Sequence, residues 1–384
     1  MSGPRRSLVS RALAACFALG VLACAPGGEA EPDGVAAPSP TVTAGAAPAP
    51  AAPAPTSAPG ASPAPAGAVA TAPGAVATSE PTVADGQAAA GTAAAWRGGT
   101  PAPQALTEVA AAAFAGSVWT AGGLDAQGRA VPAVQVYDPT FDAWSDGPPL
   151  PAAVHHAALV AAGDRLYLMG GYAGAGFDTP VAEVWMLQAS TGVWEPGPVL
   201  PEPRAAGAAA WDGQRLVYGG GVGPDEVSGD VWALVGDVWQ PLGELWQARE
   251  HLAAASDGAG RVWLLGGRTG GLDTNLGAVD VVAGDEVTAA GALPTPRGGV
   301  AGFYGGPAVG ACAVGGEGPN GTFAVVECMD ATGRTTTLAP LGVPRHGLGA
   351  VVLDGVAMTL LGGPQPGLSV SGAVEMLPLP AADA

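Results

Sequence analysis

Runs of apolar residues that end at a pair of glycines recur six times along the chain. In the copy at residues 260–267 the sequence reads GRVWLLGG. The diglycines lie at 122–123, 170–171, 219–220, 266–267, 315–316 and 362–363, so successive pairs are 48, 49, 47, 49 and 47 residues apart. A fixed period near 50 residues is typical of propellers, solenoids and repeat arrays.

Each repeat unit carries the pattern of four short strands. In the second unit, small residues at 157–160 precede a Gly-Asp turn, the apolar strand 165–169, a variable loop after the diglycine and a third strand at 182–186. A further turn leads into Val193 and Trp194. Short alternating runs between turn residues are typical of strands, so each unit is predicted to form one blade. The diglycines are expected to serve backbone geometry, because glycine adopts positive φ without steric cost.

Motifs shared by the units resemble the kelch repeat. Two units read Leu-Pro-x-Pro-Arg ahead of the diglycine, ending at Arg204 and Arg297, and Trp239 stands in the fourth-strand position of the first of these. The third-strand tyrosine of kelch repeats is present as Tyr137 and is replaced in the other units. The resemblance covers residues 92–380 and implies an all-β, six-bladed kelch-type propeller with four antiparallel strands in each blade.

The spacing of tryptophans predicts how the ring closes. Trp96 precedes Gly122 by 26 residues, as Trp144 precedes Gly170, so Trp96 stands in a fourth-strand position before the first complete unit. At the other end, residues 373–377 match a third strand and no fourth strand follows. We therefore expect an N-terminal strand at about 93–97 to complete the sixth blade, which removes an open sheet edge.

The N-terminal segment has the pattern of an export signal. Arg5, Arg6 and Arg11 precede an apolar stretch at 12–22, which is too short for a permanent membrane span. The sequence Val-Leu-Ala-Cys at 21–24 resembles the lipobox of bacterial lipoproteins, which implies a signal peptide over 1–23 and lipidation of Cys24; the alternative is a secretory signal without lipid. The resemblance implies a location at the bacterial cell envelope, and Ala25 in place of Asp favours the outer membrane.

Composition separates a tether from the repeats. Residues 24–91 are Ala, Pro, Gly, Thr and Ser with almost no large apolar side chain, so a disordered linker is expected.

The chain has 14 basic residues, all Arg, against 33 acidic ones. Without residues 1–23, which hold three Arg and no acid, the formal charge is 11 − 33 = −22. This excludes a nucleic-acid surface, which requires clustered cations.

Two cysteines in the repeat region are candidates for a disulfide. Cys312 and Cys328 fall in the second and third strands of the fifth unit, at similar distances from a turn near Asn320. Facing positions of an antiparallel pair lie within disulfide range, and exported proteins meet oxidising conditions. Two unpaired buried thiols are the alternative.

Candidate binding residues fall on one mouth of the predicted ring. In kelch proteins a partner contacts the loops after the diglycine and the residues around the Pro-Arg position. Mapped onto this sequence, these positions are His155, His156, Arg204, Glu250, His251, Arg268, Asp273, Asn275, Arg297 and His346. Histidines of blades two, four and six are 120° apart and three imidazoles can bind a transition metal, but histidine at this position also packs or caps the inner strand. Neither a metal nor a cofactor is predicted.

Three functional classes remain from the sequence. The favoured one is a lipid-anchored, monomeric binding module that recognises a protein or glycan partner at the cell envelope through one mouth, with no catalytic residue assigned. The alternative is an enzyme similar to kelch-type sugar epimerases or mutarotases, for which Glu250, His251 and His346 are the acid–base candidates. The kelch copper oxidases are disfavoured, because they need a tyrosine–cysteine pair and both cysteines of the repeat region are expected to pair with each other.

Overall fold

The computed structural model describes residues 94–380. The predicted signal peptide, Cys24 and the whole linker 24–91 lie outside the described residues. Within 94–380, no helix has the length and apolar character needed to cross a bilayer. The helical content of this part of the chain is one 3-10 turn, Leu272–Thr274.

Six antiparallel four-stranded sheets form the blades, and in each the strands follow one another outwards from the central axis. Blade 1 consists of Ala110–Phe114, Ser117–Ala121, Val134–Asp138 and Ala143–Asp146. Blade 2 consists of Ala158–Ala162, Arg165–Met169, Val184–Gln188 and Trp194–Pro196. Blade 3 consists of Ala208–Trp211, Leu216–Gly219, Asp230–Val235 and Val238–Glu244.

The other three blades repeat this order. Blade 4 consists of Ala253–Ser256, Arg261–Leu265, Ala278–Ala283 and Glu286–Ala292. Blade 5 consists of Ala301–Tyr304, Ala311–Val314, Val326–Met329 and Thr335–Thr337. Blade 6 consists of Gly349–Leu353, Val356–Leu360, Val374–Pro378 and, outermost, Arg97–Gly98. Two short ladders lie outside the blades and pair Val154–His155 with Tyr172–Ala173 and Glu317–Gly318 with Gly321–Thr322.

The prediction of a six-bladed propeller closed by an N-terminal strand is confirmed. Arg97 pairs with Met376 and Gly98 with Glu375, so the outermost strand of blade 6 comes from the start of the described chain.

The innermost strands of neighbouring blades contact each other around the whole ring. These strands are rich in alanine, as in AAAAF at 110–114 and AAAW at 208–211, because six strands converge on one axis and leave little room for side chains. Larger side chains fill the space between consecutive blades.

Glycines after the second strand fasten each blade to the next. Gly170 and Gly171 have φ of 62° and 103°, and the Gly171 N–H donates to the carbonyl of Arg204 in the following blade at 2.8 Å. A Cβ on Gly170 would lie 2.3 Å from that carbonyl oxygen. The same donor–acceptor pair recurs from blade to blade: Gly221 to Arg249, Gly267 to Arg297, Gly316 to Arg345 and Gly362 to Leu106.

The register of this turn differs from the predicted one in two blades. In blade 3 the positive-φ pair is Gly220 and Gly221, one position after the predicted 219–220. In blade 6 it is Leu361, with φ of 60°, and Gly362, one position before the predicted 362–363. The three consecutive glycines at 219–221 made blade 3 ambiguous, and a leucine in the left-handed region is not suggested by any sequence pattern.

Buried arginines link the second and third strands within their own blades. Arg297 is fully buried; its Nε donates to the Gly315 carbonyl at 2.8 Å, its Nη2 to the Ala313 carbonyl at 2.9 Å, and its Nη1 pairs with Glu327 at 2.6 Å. Arg249 and Arg345 are equally buried and are bound by Asp280 and Glu375. These guanidinium groups are therefore occupied within the fold.

In blade 5, Cys312 and Cys328 face each other in register across the second and third strands and form a disulfide. Both cysteines are fully buried. The bond therefore links two strands inside the core cluster between blades 5 and 6.

Candidate functional site

A ring of six residues with left-handed backbone surrounds the axis, one residue from each blade. These residues stand two positions before the first residue of each innermost strand and have φ between 53° and 66°: Glu108, His156, Ala206, His251, Gly299 and Gly347. The N–H of each ring residue after Glu108 donates to the carbonyl of the ring residue before it, at 2.8–3.2 Å. The Val109 N–H, next to Glu108, closes the ring onto Gly347 at 3.3 Å. A left-handed conformation costs a non-glycine residue about 1–2 kcal/mol. Three of these positions nevertheless carry an acid or an imidazole.

A second layer of side chains lies just above this ring. In every blade the residue before the ring position pairs with the first residue after the glycine turn, as Glu250 does with Arg268 and Gly298 with Glu317. Since Arg268 and Glu317 occupy this position in neighbouring blades, their side chains meet, and Arg268 Nη1 lies 2.9 Å from Glu317 Oε1. Backbone pairing at one repeat position therefore determines which side chains share the mouth.

The ring and this layer enclose a cavity of about 380 Å³ on the axis. Its polar lining is Thr107, Glu108, His156, His251, Arg268, Glu317 and His346. Phe177 and Leu368, which are 59% and 54% exposed, form part of its rim. A smaller cavity of about 80 Å³ is lined by the ring residues themselves, so the ring forms the floor of the larger cavity.

Glu108 lies at the centre of the polar network. His156 Nε2 is 3.1 Å from Glu108 Oε2, and His346 Nε2 is 3.3 Å from Glu108 Oε1. His346 Nε2 also lies 3.6 Å from Glu317 Oε2. Arg268 Nε donates to Glu250 Oε1 at 2.8 Å, and Glu250 Oε2 contacts His251 Nδ1. Three carboxylates, three imidazoles and one guanidinium thus form one connected network.

The environment moves the pKa values of two imidazoles in opposite directions. Burial lowers the pKa of His156 well below its usual value, because Glu108 compensates only part of the lost hydration. Burial acts on His346 in the same sense, but the hydrogen bond and charge of Glu108 and the charge of Glu317 raise its pKa. Burial alone would raise the pKa of Glu108, yet the charge of His156 and the bond to His346 bring it well below the usual range. The surroundings therefore favour the charged form of His346 and disfavour that of His156.

The structure brings together most of the residues singled out from the sequence. His155, His156, Glu250, His251, Arg268 and His346 all lie at this mouth. Asn275 Nδ2 donates to the backbone carbonyl of Glu317 at 2.7 Å and supports the wall. Asp273 lies exposed in the 3-10 turn. Arg204 and Arg297 do not join this group, because both are buried inside the fold and are paired with Asp230 and Glu327 of their own blades.

His346 does not occupy the repeat position of His156 and His251. It precedes the ring residue Gly347 and corresponds to His155 and Glu250. The three imidazoles placed 120° apart by the sequence analysis are thus on two levels. Glu108 occupies the ring position of blade 1 and was missed, because its unit lacks the Pro-Arg motif that marks the position in blades 3, 5 and 6. Its spacing of 48 residues from His156 is the signal that identifies it.

Comparison with known proteins agrees with this architecture. The family model described as Kelch motif matches residues 105–151 and 153–200, which span blades 1 and 2. The chain is a six-bladed propeller that carries kelch motifs. Its fold is similar to the solved structure of YjhT, with a TM-score of 0.58 and 13% identity over 72% of this chain and 96% of that one. At this identity the similarity concerns the fold of the kelch propeller alone. No curated protein sequence matches the chain.

Proposed function

We propose that this kelch propeller is a binding module that takes the terminal sugar of a glycan into the axial cavity. The observation that carries the proposal is the cavity itself, because its volume of about 380 Å³ is in the range of small-molecule sites. A protein partner in contrast is recognised over a large, mainly shallow surface. Carboxylates and a guanidinium on the walls provide acceptors and donors for sugar hydroxyls.

The rim adds an apolar contact. Phe177 stands 5.1 Å from the ring of His155, 5.4 Å from His156 and 5.7 Å from Tyr172, measured between ring centroids. An exposed aromatic ring at the rim of this cavity offers a flat face to the C–H side of a sugar, and aromatic side chains contribute strongly to binding.

The test is a thermal-shift and calorimetric screen with neutral, amino and acidic monosaccharides. A bound sugar raises the melting temperature. We expect Phe177→Ala to weaken binding by about fivefold or more, since truncation of a binding hot spot costs over ~1 kcal/mol. The matched control is Phe141→Ala, because Phe141 is also highly exposed but lies in the turn between the third and fourth strands of blade 1, on the opposite face. A full panel without a stabilising sugar, or equal losses in both variants, contradicts the proposal.

We further propose that the module is displayed at the cell envelope through a lipid on Cys24 and the linker 24–91. Support comes from the basic and apolar segments and the lipobox-like sequence at 21–24. Metabolic labelling with a clickable fatty acid should mark the protein, and Cys24→Ser should remove the label. Cys16→Ser is the matched control and should keep it. Label that persists in the Cys24 variant argues against this anchor.

One observation favours a second function, a mutarotase- or epimerase-like enzyme. His156 and His346 contact the same carboxylate and have pKa values shifted in opposite directions, a pattern found where acid and base roles are divided. Sugars that bind should be examined for anomeric or epimeric exchange by NMR. Exchange that is lost in His346→Gln while binding persists supports the enzyme, and binding without exchange supports the module alone.

A further inference from the structure

Three potential ligand atoms for a metal ion converge at the floor of the cavity. Glu108, His156 and His251 each offer one such atom, and these atoms lie within 4.8 Å of one another. They come from the ring positions of blades 1, 2 and 4, so the closed backbone ring holds them in place. Metal–ligand distances near 2.1 Å place ligand atoms about 3–4 Å apart, so side-chain movements of about 1 Å complete such a site.

Hydrogen bonds fix the orientation of the first imidazole. His155 Nε2 lies 3.1 Å from the carbonyl of Gly176 and can only donate to it. The Nδ1 of a neutral His155 is then an acceptor, and His156 Nδ1 donates to it at 2.6 Å. This leaves the Nε2 lone pair of His156 directed at Glu108 Oε2, 3.1 Å away. Two lone pairs at this distance repel each other unless a proton or a metal ion lies between them.

The second imidazole is oriented in the same sense. His251 Nδ1 contacts the carboxylate of Glu250, whose other oxygen accepts from Arg268. His251 therefore donates from Nδ1, and its Nε2 remains as the free ligand atom. Metal-bound histidines commonly donate their other ring N–H to a carboxylate or a similar acceptor, which fixes the ring and increases its basicity.

The charge of the surroundings favours a cation. The network contains the carboxylates of Glu108, Glu250 and Glu317 and only one guanidinium, that of Arg268. Before any imidazole is counted, three carboxylates and one guanidinium leave an excess of negative charge. His346 already donates to the second oxygen of Glu108, so the remaining oxygen is the one available to an ion.

We propose that Glu108, His156 and His251 form a binding site for a divalent transition-metal ion of the zinc class. Two imidazoles and one carboxylate match the preferences of zinc and ferrous iron, whereas calcium and magnesium prefer oxygen ligands. All three residues line the axial cavity, so the remaining coordination positions face it. A bound ion would then be exchangeable and could contact whatever enters the cavity.

Calorimetric titration of ZnCl₂ into the purified, chelator-treated protein tests the proposal. We expect one zinc ion per chain and, for His156→Gly, His251→Gly and Glu108→Gln, a loss of affinity of at least about tenfold. His155→Phe removes the acceptor of the His156 Nδ1–H hydrogen bond. It should weaken zinc binding by about 10–100-fold, as is typical when the hydrogen-bond partner of a metal ligand is replaced. Magnesium should produce no binding heat.

Glycine is the suitable replacement at both histidines. Gly299 and Gly347 already occupy the same ring position in blades 5 and 6 with φ of 66° and 55°, so the backbone accepts glycine there. Melting curves without metal check that each variant folds, and Glu108→Gln provides an independent measurement. Asp178→Asn is the matched control, because Asp178 is an exposed acid on a loop at the same mouth and should bind zinc like the unaltered protein.

Cobalt substitution identifies the ligands. A visible spectrum of nitrogen and oxygen ligation that disappears in His156→Gly supports the site. Thiolate bands would assign the ion to cysteine instead, and would overturn the proposal, as would the absence of stoichiometric zinc and cobalt binding or wild-type affinity in all three ligand variants. Zinc titration contains no sugar, so its outcome is independent of the sugar screen and the two proposals can fail separately.

Discussion

The indole N–H of Trp96 donates to the backbone carbonyl of Ala339 at 2.7 Å, across 243 residues of sequence. Trp144, Trp194 and Trp239 make the equivalent bond to the preceding blade, with Thr100, Pro148 and Pro198 as acceptors. The closing strand therefore has the contacts of an ordinary fourth strand.

Deletion of residues 92–98 should consequently lower the melting temperature by more than about 5 °C, on a scale of 2–4 °C per kcal/mol for a chain of this size. The deletion exposes the edge of Val374–Pro378 and removes the Trp96 bond. Deletion of 25–91 is the control and should leave the melting temperature unchanged. Equal melting curves for both deletions would contradict closure by this strand.

A non-glycine residue pays about 1–2 kcal/mol to adopt the left-handed conformation. Gly170→Ala should lower the free energy of unfolding by more than this, because the new Cβ would lie 2.3 Å from the Arg204 carbonyl oxygen. Gly192 also has positive φ, of 63°, but has open space where a Cβ would be. Gly192→Ala therefore measures the backbone cost alone. Denaturant unfolding of both variants gives the difference, and equal destabilisation would mean that the contact between blades does not matter.

Arg297→Met should destabilise the protein by about 3–5 kcal/mol, because it removes the ion-pair partner of the buried Glu327 and the donors that the guanidinium provides to two backbone carbonyls. Arg334→Met is the control: Arg334 pairs with Asp330 at the surface, where ion pairs contribute little. Urea unfolding with a midpoint unchanged in Arg297→Met would show that this arginine is not structural.

Replacement of Cys312 and Cys328 by alanine should reduce the free energy of unfolding by about 2–4 kcal/mol, as expected for a short closed loop; the two cysteines are separated by 16 residues. A reductant should shift the unaltered protein by a similar amount and leave the double variant unaffected. Two free thiols titrated in the non-reduced, unfolded propeller would instead rule out the bond.

The propeller architecture could be predicted from the sequence more accurately than the set of side chains that meet at the mouth. Blade number, strand number and closure follow from a period, and Trp96 could be placed by its distance from Gly122. The left-handed positions depend on single residues: Leu361 adopts φ of 60° where every other blade has glycine. An error of one residue at this turn does not alter the blade, but it changes which residues share a level of the mouth.

Glu108 and Phe177 illustrate two further limits. Glu108 follows no Pro-Arg motif, so only the spacing to His156 could have indicated its place. Phe177 lies on a loop whose length and sequence are peculiar to blade 2, and its position against His155 depends on how that loop folds. Which side chains from different blades meet at the mouth can therefore be predicted only when the register of all six units is known.

Backbone hydrogen bonds alone join the six blades at the ring. The scaffold therefore does not depend on the side chains that the ring positions carry. Ala206, Gly299 and Gly347 show that the ring forms without a functional side chain. Ala206 lies between His156 and His251 in this ring, and asparagine tolerates the left-handed conformation that the position requires. Side chains at the ring positions can thus be exchanged one blade at a time, by evolution or by design, while the backbone ring and the propeller stay the same.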